Sequence, residues 1–231
     1  MENNHLSVCG RTLEEYTKMF SFDNISPSTK LLSIADGPST FNLELRQRGI
    51  NITSVDPIYH LNIKELKGVF KKSYTHNKQY FYEYPEKFTL KNTQEIELIL
   101  AKRQNTFNQF ILDFEKNRSN YHYGKLPILE FESNIFDLCL CSNFLFLFDH
   151  LFTLVFHLNS IKELLRVSNE VRIFPLYSNI DGQESKYLKS VMEYLKNNNY
   201  PHSIETNDYH IWKGGNKYLK ITNQNKTNGT I

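Results

Sequence analysis

The chain is poor in glycine and cysteine, and its charges nearly cancel. Its 231 residues include only 9 glycines, and 27 basic side chains face 25 acidic ones for a net charge of +2. Dedicated nucleic-acid binders carry a strong basic face or stripe, so this balance lends a nucleic-acid partner no support. The three cysteines are Cys9, Cys139 and Cys141. The last two stand two apart, which is neither a redox pair nor a zinc spacing, so no metal site is expected. In a strand they share one face, and they read as small core residues. No run is long and apolar enough for a membrane span: "FLFLFDHLFTLVFHL" (144–158) is too short and contains Asp149, His150 and His157. The opening stretch "MENNHLSVCGRTLEEYTKMF" lacks the apolar core of a signal peptide. A cytoplasmic protein with no membrane partner is expected, and the sequons at Asn51, Asn225 and Asn228 then carry no meaning.

The hydrophobic fraction of 40% predicts a globular core. The abundance of Asn, Lys, Ile, Tyr and Phe reads as genome composition rather than function. "RTLEEYTKMF" reads as a short first helix. "LLSIA" (31–35) is a continuous apolar strand, as expected where both faces of a parallel sheet are covered. "STFNLELRQRG" follows as a helix, with Ser39 or Thr40 as N-cap and Gly49 as its stop. "INITSVDP" is the next strand and ends at Asp56 and Pro57. Strand, turn, helix and strand in this order make a βαβ unit.

Residues 61–120 break the alternation. "LNIKELKGVFKK" is helix-like, "HNKQYFYEYPEKF" reads as an aromatic loop, and "NTQEIELILAKRQNTFNQFILDFEK" is a long amphipathic helix. Its stripe is Ile96, Leu100, Arg103, Phe107, Phe110 and Phe114. These residues form a helical insert. Tyr80, Phe81, Tyr82, Tyr84 and Phe88 either lid a substrate site or pack the insert onto the domain, and packing is the simpler reading. Alternation resumes with a strand at 136–142 and a helix at 149–166 striped by Leu151, Val155, Leu158, Ile161 and Leu165. A strand at 170–177, a helix in "ESKYLKSVMEYLKNNNY" and a closing pair of strands, "HSIETND" and "NKYLKIT", complete the pattern. The expected architecture is a single Rossmann-like α/β domain over 1–222: seven strands, mostly parallel, with a C-terminal antiparallel hairpin and a tail at 223–231.

The chemistry concentrates where the first strand meets its helix. In doubly wound sheets, ligands bind beyond the carboxyl ends of the strands near the switch in strand order. "ADGPS" (35–39) occupies that place, and Gly37 lets backbone approach a ligand while the following helix start offers amides. Asp56 follows at the end of the second strand. A carboxylate there can accept two hydrogen bonds from a ribose diol, each contributing about 1.5–3 kcal/mol. The dinucleotide fingerprint wants three glycines, and here those places read Ala35, Gly37 and Thr40. Asp36 adds a negative charge that repels phosphate and suits a cationic ligand. S-adenosylmethionine has ribose and adenine, no phosphate, and a sulfonium and an ammonium.

Three stretches, "LLSIADGPSTFNLELRQRGINITSVDPIY", "GKLPILEFESNIFDLCLCSNFLFLF" and "IKELLRVSNEVRIFPLY", together resemble the class I S-adenosylmethionine-dependent methyltransferases. They look closest to a bacterial branch with a glycine-poor GPSSF-type first motif. The resemblance implies a cofactor site built from Ala35, Asp36, Gly37, Pro38 and Ser39 beneath the methionine part, Asp56 and Pro57 at the ribose, and Ser142, Asn143 and Phe144 bordering cofactor and substrate. Two departures stand out. Ser33 occupies the place of an acid that orients the cofactor's amino group, and no acid for the adenine amino group stands near Gly124 and Lys125.

Methyl transfer is an in-line displacement in which the protein mainly supplies alignment, so no fixed catalytic motif is expected. Asn143, Asp149, His150, His157, Tyr121 and Tyr123 lie near strand ends; His157 reads as a packing histidine and Asp149 as a helix N-cap. No residue is assigned as catalytic. "IFPLY" carries no Asn-Pro-Pro-Tyr-type tetrad, which speaks against amino-methylation of nucleic-acid bases. The sequence therefore predicts a methyltransferase acting on a small-molecule acceptor. The alternative is a silent cofactor-binding or scaffold protein of the same fold, and a nicotinamide-dependent oxidoreductase is the weakest reading.

Overall fold

The apolar run Leu31–Ile34 forms the central strand of the sheet, and all four of its residues are buried. The computed structural model describes residues 6–22, 25–209 and 211–223. The expected tail, apart from Asn223, and the sequons Asn225 and Asn228 lie outside the described residues. In chain order the elements are α1 (Leu13–Phe20), β1 (Leu31–Ile34), α2 (Phe41–Gln47), β2 (Ile52–Val55), α3 (Ile63–Glu83), α4 (Thr93–Lys116), β3 (Tyr121–His122), β4 (Phe136–Ser142), α5 (Leu154–Val167), β5 (Ser168–Phe174), α6 (Leu188–Asn197), β6 (His202–Thr206) and β7 (Lys217–Thr222). The sheet order is β3-β2-β1-β4-β5-β7-β6. β1 to β5 are parallel, while β7 pairs antiparallel with both β5 and β6. This is the Rossmann-like seven-stranded architecture, with the order switching between β1 and β4.

Strand alternation divides the core in two. Leu32, Ile34, Cys139 and Cys141 point to the face covered by α5 and α6, where Ile161, Leu164, Val191 and Leu195 meet them. Leu31 and Leu140 point to the opposite face, against Leu13, Tyr16, Met19 and Phe20 of α1 and Phe41 and Leu45 of α2. Burial pushes the Cys141 thiol up to about 12 and Cys139 well above its usual value, so both are inert packing groups.

The insert sits between β2 and β3 and packs as a helical pair. Phe70 of α3 stacks on Phe107 of α4 with ring centroids 3.9 Å apart. Tyr59, Phe110, Phe114 and Tyr121 join this pair to the sheet edge. Arg46 of α2 and Tyr121 both bond to the buried carboxylate of Asp113 on α4. A second anchor is buried: Arg103 makes two bonds to Glu15 of α1, at 2.8 and 2.6 Å, and the Tyr209 hydroxyl donates to the same carboxylate. Burial alone would raise the Glu15 pKa, but the Arg103 charge and hydrogen bonds outweigh it and hold the carboxyl below its usual range.

Several boundaries differ from expectation. The aromatic stretch at 76–83 is the end of α3, not a loop. Asn62 and Glu65 form a capping box that starts the helix, and Pro85 ends it. α5 begins at Leu154, capped by Thr153, so Asp149 is not its N-cap. The Asp149 carboxylate is held by Ser178 Oγ, Ser185 Oγ and the Lys186 amide. Of the expected stripe, Ile161 and Leu165 are buried as read, but Val155 is 65% exposed, and His157 and Leu164 join the buried face. β5 begins two residues before the expected strand and ends at Phe174, ahead of Pro175. Among the described residues, no helix is long and apolar enough to cross a membrane.

Candidate cofactor and acceptor site

β1 delivers the chain into a turn that depends on positive φ. Ala35 has φ +56° and Gly37 +59°; a non-glycine residue in this region is a strained position of the kind found at binding sites. The Ala35 amide donates to Val55 O at 3.0 Å, which ties the strained residue to β2. Asp56 stands where β2 ends. Its Oδ2 accepts the Gly37 amide and its Oδ1 the Ile58 amide, both at 2.9 Å. One carboxylate thus fixes the β1 turn and caps the short 3₁₀ turn at Pro57–His60. Burial raises the Asp56 pKa to about 6, against the lowering effect of the two amides.

Asp36 is turned inward. The Tyr16 hydroxyl donates to its Oδ1 at 2.7 Å and Ser54 Oγ bonds its other oxygen. Only 4% of the residue is exposed, and burial raises its pKa. Ser33, fully buried, shares the Tyr16 hydroxyl at 3.2 Å. The amides of the turn and helix start are occupied as well. Gly37 N donates to Asp56, Thr40 N to Arg11 O, and Phe41 N to Ser39 Oγ. Of the amides expected to be open at the start of α2, those of Thr40 and Phe41 are bonded within the protein.

A cavity of about 360 Å³ lies over the carboxyl ends of β1, β2 and β4. Ala35, Asp36, Gly37, Asp56, Pro57, Ser142, Asn143 and Phe144 all line it. Pro38 and Ser39 are not on its wall. Both are buried, and Ser39 Oγ donates to Arg11 O at 2.7 Å, so this half of the loop faces the N-terminal segment. At one end, Val55, Ile58, Leu126 and Leu129 supply apolar surface beside Gly124, whose missing side chain leaves room for Val55 Cγ1. Asn143 has φ +53°; its Nδ2 donates to Ser142 Oγ at 2.8 Å.

The sequence reading missed the N-terminal segment. Leu6 to Cys9 and Arg11 form one wall of the cavity. A Cβ on Gly10 would lie 1.9 Å from Pro38 O, so this segment rests directly on the β1 loop. The signal available beforehand was Gly10 two residues ahead of the Thr12–Glu15 capping box. The remaining candidates fall outside. His157 is fully buried, its ring nitrogens 2.8 Å from Thr153 O and 3.0 Å from Leu145 O. Tyr121 bonds Asp113, Tyr123 is 59% exposed, and neither these nor His150 lines this cavity. No group of metal-ligating side chains occurs among the described residues.

With this geometry in view, comparison with known proteins is informative at two levels. Over 215 residues the chain is 34% identical to the uncharacterised protein MJ0045 of the archaeon Methanocaldococcus jannaschii, an alignment spanning 93% of this chain and 95% of that one. The chain belongs to the MJ0045 family. No protein-family model matches this chain. Among solved structures, the bifunctional kinase-methyltransferase WbdD superposes on the family member with a TM-score of 0.50 at 15% identity. That match covers 91% of this chain and 39% of WbdD, and it concerns the fold alone. The magnesium protoporphyrin IX methyltransferase of Synechocystis, solved with bound S-adenosylmethionine, gives 0.46 at 9% identity over 85% of this chain and 70% of its own. The chain spans about half, 51%, of a matching protein from Nostoc punctiforme, at a TM-score of 0.45 and 13% identity over 84% of this chain.

Proposed function

We propose that this member of the MJ0045 family transfers a methyl group from S-adenosylmethionine to a small-molecule acceptor. The observation that carries the reading is the occupied turn. The amides of Gly37, Thr40 and Phe41 already bond to the protein, so the turn after β1 has fewer amides left for a pyrophosphate than a three-glycine loop would offer. The neighbouring cavity of about 360 Å³ still falls in the range of nucleoside-sized ligand sites, roughly 300–1,000 Å³. A nucleoside without phosphate fits this combination better than a dinucleotide does. The fold shared with WbdD agrees with it.

Asp56 would hold the ribose diol, because each carboxylate oxygen accepts one amide and keeps a second lone pair. Val55, Ile58, Leu126 and Leu129 would take the adenine, and Ser142, Asn143 and Phe144 would border the methyl-bearing end. S-adenosylmethionine supplies a methyl carbon already activated by its sulfonium. The acceptor's heteroatom bonds that carbon as the carbon–sulfur bond breaks; the pair stays on sulfur and the acceptor's proton passes to water. The protein contributes orientation, which can lower such a barrier by several kcal/mol. His157 and Asp149 have their hydrogen-bonding capacity engaged and serve no proton transfer.

Incubation of the protein with methyl-labelled cofactor and a small-molecule extract tests this. Label is expected to pass into a small molecule. A second reading, cofactor binding without turnover, is favoured by Ser33, which offers a buried hydroxyl where an acid would stand, and by Asp36, whose oxygens are bonded inward. Intact binding with no labelled product would select it.

A further inference from the structure

A second cavity, of about 120 Å³, abuts the first and shares Ser7, Cys9, Arg11, Asn143 and Phe148 with it. Apart from Asn143, its walls come from parts of the chain outside the cofactor motifs. Tyr80 and Phe88 of the insert meet Trp212 of the β6–β7 connection, with ring centroids 5.8 and 4.7 Å away, and Tyr177 beyond β5 lies 5.6 Å from the same ring. A designed apolar cavity of roughly 150 Å³ takes up benzene, so this space suits one aromatic ring and excludes a polymer segment.

Two buried polar atoms of its lining residues lack partners. Asn179, 5% exposed, has a buried Oδ1 with no hydrogen bond, and Arg11 has a buried Nε with none. A buried amide oxygen left unpaired is costly, and it calls for a donor. Arg11 calls for an acceptor: the Glu15 carboxylate acts on its charge without a hydrogen bond, being bonded by Arg103 and Tyr209 instead. The Arg11 Nη1 donates only to the carbonyls of Cys9 and Gly10, which are neutral. Arg103, the other guanidinium on the wall, is matched by Glu15.

We infer that this cavity takes a single-ring aromatic acid as the acceptor, its anionic group on Arg11 and a hydroxyl or amine on Asn179. The word acceptor rests on the methyl-transfer reading; the ligand chemistry rests on the cavity alone.

Trp212 is the chain's only tryptophan and lines this cavity, so its fluorescence reports occupancy directly. The probe is 4-hydroxybenzoate, compared with 4-hydroxybenzamide, which lacks the anion, and with benzoate, which lacks the donor. The wild type should give a saturable change with 4-hydroxybenzoate, at least tenfold tighter than with either control. Asn179→Leu should erase the preference over benzoate, and Arg11→Met the preference over the amide. No saturable change, or equal affinity for acid and amide in the wild type, overturns the inference whether or not a variant folds. Calorimetry with S-adenosylhomocysteine reads the first cavity separately. Binding there with a failed titration overturns this inference alone. Its absence overturns the methyl-transfer reading, and the titration still decides the ligand of the second cavity.

Discussion

Changing Asp56 to Asn removes a charge while keeping the side chain's size. In the wild type each carboxylate oxygen accepts one amide at 2.9 Å, from Gly37 and Ile58. Asn keeps one such acceptor and turns an NH2 toward the other amide, a loss of about 1–2 kcal/mol. Against that, the neutral amide avoids the desolvation that raises the Asp56 pKa to about 6. The unliganded variant should therefore lie within about 1 kcal/mol of wild type at pH 8. Binding should suffer more. Two ribose hydroxyls lose a charged acceptor, worth about 2 kcal/mol together, or about 30-fold in the affinity for S-adenosylhomocysteine. The pH dependence gives an independent check. A ligand bonded to the ionised carboxylate binds more weakly as pH falls through about 6, by about tenfold at pH 5 relative to pH 8. Without ligand the sign reverses: a raised carboxyl pKa means the folded state binds the extra proton, so this group's contribution to stability declines as pH rises from the ordinary carboxyl value to about 6. Calorimetry at both pH values on wild type and Asp56→Asn decides the matter. A wild-type affinity flat between pH 8 and 5, or an Asn variant binding as tightly as wild type, refutes the ribose role.

Three further outcomes follow from the packing around the site. Gly10→Ala should lower cofactor affinity about tenfold and reduce the melting temperature, because its Cβ would meet Pro38 O at 1.9 Å and Ser39 N at 2.6 Å, both backbone; unchanged binding and melting would show that the segment does not brace the loop. Arg103→Met should cost about 3–5 kcal/mol at pH 8 by leaving the buried Glu15 charge only its long Lys102 contact, at 3.9 Å. The paired Glu15, with its lowered pKa, stabilises the fold above the ordinary carboxyl range and loses that effect as pH falls, so the variant's deficit should shrink toward pH 4; a urea-derived loss below about 1 kcal/mol at pH 8 contradicts this. Tyr16→Phe keeps the ring stacked on Phe41 at 3.8 Å but removes a donor from buried Asp36, at an expected cost of about 1–3 kcal/mol by chemical denaturation; wild-type stability would mean the Asp36 carboxyl needs no such donor.

The strands and the turn were legible because local rules govern them. Leu31–Ile34 is apolar throughout because both its faces are covered, and Gly37 and Asp56 mark strand ends by their type alone. α4 was readable from its stripe, since Ile96, Leu100, Arg103, Phe107, Phe110 and Phe114 are all buried. What could not be read depended on distant partners. Asp36 looked free to face a cation, but Tyr16 and Ser54, 20 and 18 residues away, turn its carboxylate inward. Asp149 looked like a cap until Ser178 and Ser185 claimed it across 29 and 36 residues. Gly10 shows its purpose only against Pro38, and Trp212 shows its purpose only against Tyr80 and Phe88. The aromatic end of α3 was read as a loop because its tyrosines and phenylalanine obscure helical spacing, whereas the capping box at Asn62 and the stop at Pro85 set the true length.

Titration of the wild-type protein with S-adenosylhomocysteine in a calorimeter, with NAD as the comparison, tests the central claim most directly. Saturable one-site binding of S-adenosylhomocysteine and no heat from NAD is the predicted result. No binding of S-adenosylhomocysteine, or tighter binding of NAD, would contradict the account.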